Sequence, residues 1–205
     1  MFKNDLENGV MTVRGAIGPF EDGISADQFL DALQEHNGAD VKIELDSPGG
    51  SVSDGMSIYN ALMQYSGKVT VQIDTIAASI ASVIACAADE AIMNSNAQFM
   101  IHNAWCVAMG NAKEFRGLIE QLDVLDAMIC DVYVERTNAE FAELKEMMDN
   151  ETFLTAKQAL ALGFVDSINE IKKSRKKDDK YALAMAPCVV SAKAKAMKMK
   201  LRASL

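Results

Sequence analysis

Proline, cysteine and histidine are scarce in this 205-residue chain, and each scarcity narrows what the protein can be. The three prolines, Pro19, Pro48 and Pro187, fall at predicted element boundaries. The four cysteines, Cys86, Cys106, Cys130 and Cys188, have no CxxC spacing and no histidine cluster beside them. That pattern argues against a disulfide framework or a thiolate metal site and reads as free thiols in a reducing compartment. With only His36 and His102 present, any imidazole chemistry has two candidates. No apolar run approaches the roughly 20 residues of a membrane span. The first eight residues lack the basic and apolar regions of a signal peptide, so the expected location is the cytoplasm.

What is present is an uneven distribution of charge. The formal net charge is −9, yet residues 171–205 hold eleven of the twenty Lys and Arg residues and only two acids, Asp178 and Asp179. Residues 1–170 are left with nine basic and 27 acidic side chains, a balance of −18. An acidic body argues against nucleic acid as the main partner. The expected organisation is one domain over 1–171, followed by a basic linker and tail over 172–205.

Apolar spacing along the body alternates between strand and helix periods. Residues 8–17 and Val41–Leu45 read as strands, and Ser25-Ala-Asp-Gln28 is a capping box opening a helix. A second helix follows Ser47-Pro-Gly-Gly50, then a strand over Lys68–Asp74 and a small-residue helix from Ile76 to about Ala88. Short strands are expected at Ala91–Met93 and Gln98–Ile101. The longest helical pattern runs from Lys113 to Arg136, with Phe115, Leu118, Leu122, Leu125, Ile129 and Val132 at steps of three and four. A short helix around Phe141–Met148, another capped by Thr155, and a last strand over Phe164–Ile168 complete an α/β pattern with largely parallel strands.

Acyl transfer requires a nucleophile, a base, a group that orients the base and donors for the oxyanion. Ser79 lies among small residues in Thr75-Ile-Ala-Ala-Ser-Ile-Ala-Ser82, between a strand and an apolar helix, where small neighbours let a carbonyl approach. Ser82, one turn on, faces packing. His102 ends the strand Gln98–Ile101, whereas His36 sits at a helix C-terminus, where charge and dipole account for it. The turn at Ser47–Gly50 offers unhindered backbone N–H groups. The orienting acid is open between Asp149 and Glu151, both of which precede Phe153-Leu-Thr-Ala156.

Four segments, Ser47–Tyr59, Ala77–Ser82, Met100–Trp105 and Phe153–Ile168, occur in an order and spacing that resembles the proteolytic subunit of the Clp protease family. The likeness is greatest to the Clp-like peptidases of phages and prophages, the head maturation or prohead proteases, and spans about residues 10–170. It implies the Clp/crotonase-like α/β fold of repeated β-β-α units with a protruding handle helix, here 113–136. It implies a serine endopeptidase with Ser79 as nucleophile, His102 as general base, Glu151 in the place of the family's triad aspartate, and the N–H groups of Gly50 and Ile80 as oxyanion donors. Glutamate departs from the family's aspartate, which leaves Asp149 as a substitute.

No metal or organic cofactor is implied. The implied partners are polypeptide substrates, capsid or scaffold proteins in a head maturation role, and further copies of the chain in stacked rings, heptameric in the family. No membrane and no specific nucleic acid is expected. Dependence on an ATPase partner stays open, because the N-terminus looks too short and polar for the family's axial loops. The alternatives are a catalytically degenerate ring-forming module that binds capsid or scaffold proteins, and a housekeeping degradative subunit with an ATPase. A Ser/Lys peptidase is disfavoured because Lys68 and Lys113 belong to other elements, and a hydratase would need neither Ser79 nor His102.

Overall fold

A computed structural model describes residues 1–171, which form one compact unit. The basic segment 172–205, and with it Cys188, lies outside the described residues. The chain order is β1 (Phe2–Asp5), β2 (Val10–Arg14), α1 (Ala26–Glu35), β3 (Val41–Ser47), α2 (Val52–Met63), β4 (Val69–Ala78), α3 (Ile80–Cys86) and β5 (Glu90–Asn94). There follow β6 (Gln98–Ile101), α4 (Ala112–Arg136), α5 (Phe141–Asp149), β7 (Thr152–Thr155), α6 (Ala156–Leu162) and β8 (Ser167–Asn169).

The strands form one sheet in the order β1-β2-β3-β4-β5-β8, with β6 and β7 branching from the end of β4. From β2 to β8 the neighbours are parallel; β1 with β2 and β6 with β7 are antiparallel. This is the mixed α/β architecture that the repeated strand–helix pattern implies. β3 shows the period-2 burial of a half-covered strand, with Val41, Ile43, Leu45 and Ser47 inward. β4 is more apolar, with Val69, Val71 and Ile73 buried, as expected for the centre of a parallel sheet.

β4 also determines where the site forms. Thr70–Ile73 pair with β5, while Ile76–Ala78 pair with β6, so one ten-residue strand serves two neighbours in succession. The sequence pattern predicts a helix from Ile76; the structure instead keeps Ile76–Ala78 in the strand and starts α3 at Ile80. The correction is physical: alanines are good helix formers in isolation, but here their backbone groups are taken by β3 and β6. Two strands that the sequence pattern does not suggest are present, β1 and β7, each of four residues. β2, at Val10–Arg14, is shorter than the expected 8–17, and the last strand lies at Ser167–Asn169, C-terminal to its expected start.

α4 is the longest element, 25 residues opened by an Asn111–Glu114 capping box, or about 37 Å. Its two halves differ. Phe115, Ile119 and Val124 in the first half are exposed, whereas Ile129, Cys130, Val132 and Tyr133 in the second are buried. Tyr133 packs edge-on to Phe164, which stacks at 4.8 Å on Phe99 of β6. Arg136 closes the helix by donating to the carbonyls of Phe164 and Ala88 and pairing with Asp166. Among the described residues no helix is long and apolar enough to cross a membrane. Cys86, Cys106 and Cys130 are free thiols, and burial pushes that of Cys86 up to about 12.

Candidate active site

Ser79 is the hinge residue between β4 and α3. Its backbone has φ 57° and ψ −132°, a conformation that costs a residue with a Cβ of order 1–3 kcal/mol. The sharp turn lifts the side chain out of the strand without capping the helix: no side-chain hydrogen bond is made to α3. The turn is fixed on three sides. The Ser79 N–H donates to the Met100 carbonyl of β6 at 2.9 Å. Its carbonyl accepts the Ser82 N–H at 2.9 Å and the Ser82 hydroxyl at 2.5 Å. Gly49 lies so close that a Cβ there would stand 2.6 Å from that of Ser79.

His102 follows the last residue of β6. The β4–β6 register, Ala78 opposite Met100, delivers the two side chains from adjacent parallel strands. His102 Nε2 stands 2.7 Å from Ser79 Oγ. The ring is half-buried, and this burial holds its pKa below the ordinary 6.5, against the opposing pull of Glu151 and Asp126. A neutral imidazole at neutral pH is what a proton acceptor for a hydroxyl requires. His36 is elsewhere: it is the C-cap of α1, buried, with Nε2 2.7 Å from Asn4 Oδ1.

The two candidate acids part company. β7 runs antiparallel to β6, and the ladder ends with Ile101 opposite Thr152. Glu151 and His102 are the residues just beyond that end, close enough for the Glu151 charge to act on the imidazole. Glu151 has φ 49°, its side chain is exposed, and among the described residues no hydrogen bond joins it to the imidazole. Asp149 is engaged with the neighbour of the base: it accepts from Asn103 Nδ2 at 2.7 Å and pairs with Lys145. Those bonds, first that of Lys145, hold its carboxyl below the usual range.

Of the two expected oxyanion donors, Ile80 directly follows Ser79 and Gly50 follows Gly49, the glycine that lies against Ser79. Ile17 donates to the Gly49 carbonyl and accepts the Ser51 N–H, which brackets Gly50 and leaves its own N–H without an acceptor among the described residues. Gly50 has φ 150°, and a Cβ there would lie 2.0 Å from the Ile17 carbonyl oxygen, so only glycine fits. Ile80 is the first residue of α3, where N–H groups have no partner within the helix. A cleft of about 610 Å³ opens beside Ser79 and His102, with apolar walls from Phe20, Val52, Met100 and Trp105.

A strained serine at reacting distance from a neutral imidazole, beside free backbone donors and an apolar cleft, is equipped for acyl transfer. Residues 17–172 match the Clp protease family. The chain belongs to the Clp protease family. A curated relative, the ATP-dependent Clp protease proteolytic subunit of Carsonella ruddii (strain PV), is 25% identical over 170 residues, covering 82% of this chain and 87% of that protein. Membership makes the chain a peptidase of the serine type, from a family whose members act on polypeptides and form rings.

Two residues beside the site of this Clp family member escape a reading of motifs. Asp126 interrupts the apolar stripe of α4 and is buried, with Oδ1 accepting the Ala104 N–H at 2.7 Å. Tyr133 lies on the same face, its hydroxyl 2.7 Å from Ser82 Oγ. A signal for Asp126 exists in the sequence: it is an acid four residues after Leu122 and three before Ile129, on the apolar side of the helix rather than the opposite one.

Proposed function

We propose that Ser79, His102 and Glu151 form the catalytic triad of this peptidase, with the N–H groups of Gly50 and Ile80 as its oxyanion hole. The observation that carries this reading is the 2.7 Å approach of His102 Nε2 to Ser79 Oγ at the strained β4–α3 turn. His102 takes the hydroxyl proton as Ser79 Oγ attacks a peptide carbonyl carbon. The resulting oxyanion accepts hydrogen bonds from Gly50 and Ile80, and one such donor supplies about 3 kcal/mol of transition-state stabilisation. His102 then gives its proton to the leaving amine. Water, activated by the same imidazole, hydrolyses the acyl-enzyme and regenerates Ser79. Glu151, which precedes β7 where His102 follows β6, swings onto Nδ1 and stabilises the imidazolium.

The substrates of the reading are capsid or scaffold proteins, cleaved during phage or prophage head maturation in the cytoplasm of a bacterial host. Its support is the likeness of the four segments to phage Clp-like peptidases and the basic 172–205 segment, suited to an acidic scaffold or to self-cleavage. The working form is a homo-oligomer of stacked rings in which the exposed apolar residues of α4, Phe115, Ile119 and Val124, meet another copy. The name of the Carsonella relative favours a second reading, a degradative subunit driven by an ATPase.

Fluorophosphonate treatment followed by peptide mapping and native mass measurement tests the chemistry and the assembly together. The expected result is a single adduct on Ser79 in a ring-sized particle. Equal peptide cleavage by the wild type and Ser79→Ala removes the catalytic claim and leaves a ring-forming binding module. Incubation with scaffold protein alone separates the two substrate readings: processing at discrete sites without ATP supports head maturation, and degradation only with an ATPase supports the other.

A further inference from the structure

Two buried side chains of α4 reach the two halves of the site with polar groups, the Asp126 carboxylate and the Tyr133 hydroxyl, that packing alone does not require. Asp126, 6% exposed, sits within the apolar stripe formed with Leu122, Leu125 and Ile129. A carboxylate is unfavourable in such a place unless it is partnered. Its partner is the Ala104 N–H, two residues past His102. Burial raises its pKa, offset in part by that N–H and by Lys145 of α5, while Asp123 of α4 and Asp149 of α5 raise it further. Tyr133, 1% exposed, is joined to Ser82, and Ser82 donates to the Ser79 carbonyl. The directions are consistent: Ser82 has one proton, given to Ser79, so the Tyr133 hydroxyl donates to Ser82. Asp126 and Tyr133 are two helical turns apart, which puts them on one face, about 10 Å from each other along the axis.

We propose that Asp126 and Tyr133 are positioning residues that hold the base and the nucleophile at reacting distance, Asp126 through the Ala104 N–H and Tyr133 through the Ser82 hydroxyl to the Ser79 carbonyl. The inference rests on the reading of Ser79 and His102 as nucleophile and base. One helix thereby fixes both partners relative to each other. Ser79 needs such a hold because its backbone is strained, and His102 needs one because it precedes the loop Asn103–Gly110, outside any strand or helix.

The test is the rate of fluorophosphonate labelling at Ser79 in the full chain, with kcat and KM on a short peptide and native mass as a check of assembly. Tyr133→Phe and Asp126→Ala are expected to label about 10–100-fold more slowly, with kcat reduced in step and KM within about twofold. Asp126→Asn, which keeps an acceptor oxygen for Ala104, is expected to recover to within about threefold of wild type. Ser82→Ala with Tyr133→Phe removes both hydroxyls and orphans neither, so it separates positioning from the mere satisfaction of a buried group. It is expected to stay slow.

Wild-type labelling rates in Tyr133→Phe or in the double variant overturn the Tyr133 arm. Equal rates in Asp126→Asn and Asp126→Ala overturn the Asp126 arm. Where Asp126→Ala does not fold, Asp126→Asn is read against Asp126→Ser, which is too short to reach Ala104 and is expected to stay slow; equal rates there count against the arm in the same way. Absence of any Ser79 adduct in the wild type is a different outcome, which overturns the catalytic reading and this inference with it.

Discussion

The two sides of the site are built in different ways. The Ser79 side is made of backbone and core: Ser79 leaves a central strand, Gly49 presses against it and Gly50 against Ile17, neither with room for a Cβ, and Ser82 holds its carbonyl from a buried helix. The His102 side is made of side chains near solvent: His102 is half-buried, Glu151 is exposed, and Asn103 is held by hydrogen bonds with the Asp149–Lys145 ion pair. Groups held by backbone have little freedom to lose, whereas an exposed carboxylate must be ordered each time it acts. Damage on the first side should therefore be severe and insensitive to pH or salt, and damage on the second side moderate and sensitive to both.

The largest effect is expected from Ser79→Ala, a loss of peptide cleavage of at least about 10⁴-fold with the fold and native mass unchanged. Next comes Gly50→Ala. Its new methyl would stand 2.0 Å from the Ile17 carbonyl oxygen, so the turn must shift and the oxyanion donor with it. The expected fall in kcat is about 10²–10³-fold with KM little changed, measured on a short peptide. A Gly50→Ala enzyme with wild-type kcat would mean that this turn does not serve the oxyanion.

On the base side, Glu151→Gln should cost about tenfold, since the carboxylate is exposed and joined to His102 by position and charge. Its more telling readout is the pH profile of kcat/KM. The proposed mechanism needs neutral His102, so the acid limb of the wild type should lie below the ordinary 6.5 because burial disfavours the imidazolium. Glu151 raises the His102 pKa, so its neutralisation should move that limb to still lower pH. A limb that moves upward would exclude Glu151 as the partner of the base. The smallest effect on chemistry should come from Ile119→Asp in the exposed half of α4: stability within about 0.5 kcal/mol of wild type and a smaller particle by native mass.

The same division explains what was legible in the sequence. The capping box at Ser25, the N-cap at Thr155 and the long stripe of α4 are local signals, and all three helices start within a residue of where those signals place them. Ser79 and His102 stand out because small-residue turns and strand ends are local too. Glu151 is different. Its place near His102 depends on β7, a four-residue strand whose partner lies some fifty residues upstream, and Thr152-Phe-Leu-Thr155 carries no period long enough to announce it. Ile76–Ala78 mislead for the opposite reason: their composition favours helix, and the decision is made by the two strands that flank them. The partners of Asp126 and Tyr133 are hidden because a helix pattern reports which face is inward but not which distant group waits there, the Ala104 N–H for one and the Ser82 hydroxyl for the other.

The left-handed turn at residue 79 has a consequence for how such a chain would age. Glycine adopts φ 57° without the penalty that a serine incurs. A Ser79→Gly copy should thus melt at a higher temperature than its active parent while cleaving nothing. In a lineage released from its task, drift toward thermostability would erase the hydroxyl first, and a glycine at this one position would mark a retired enzyme whose scaffold is otherwise intact.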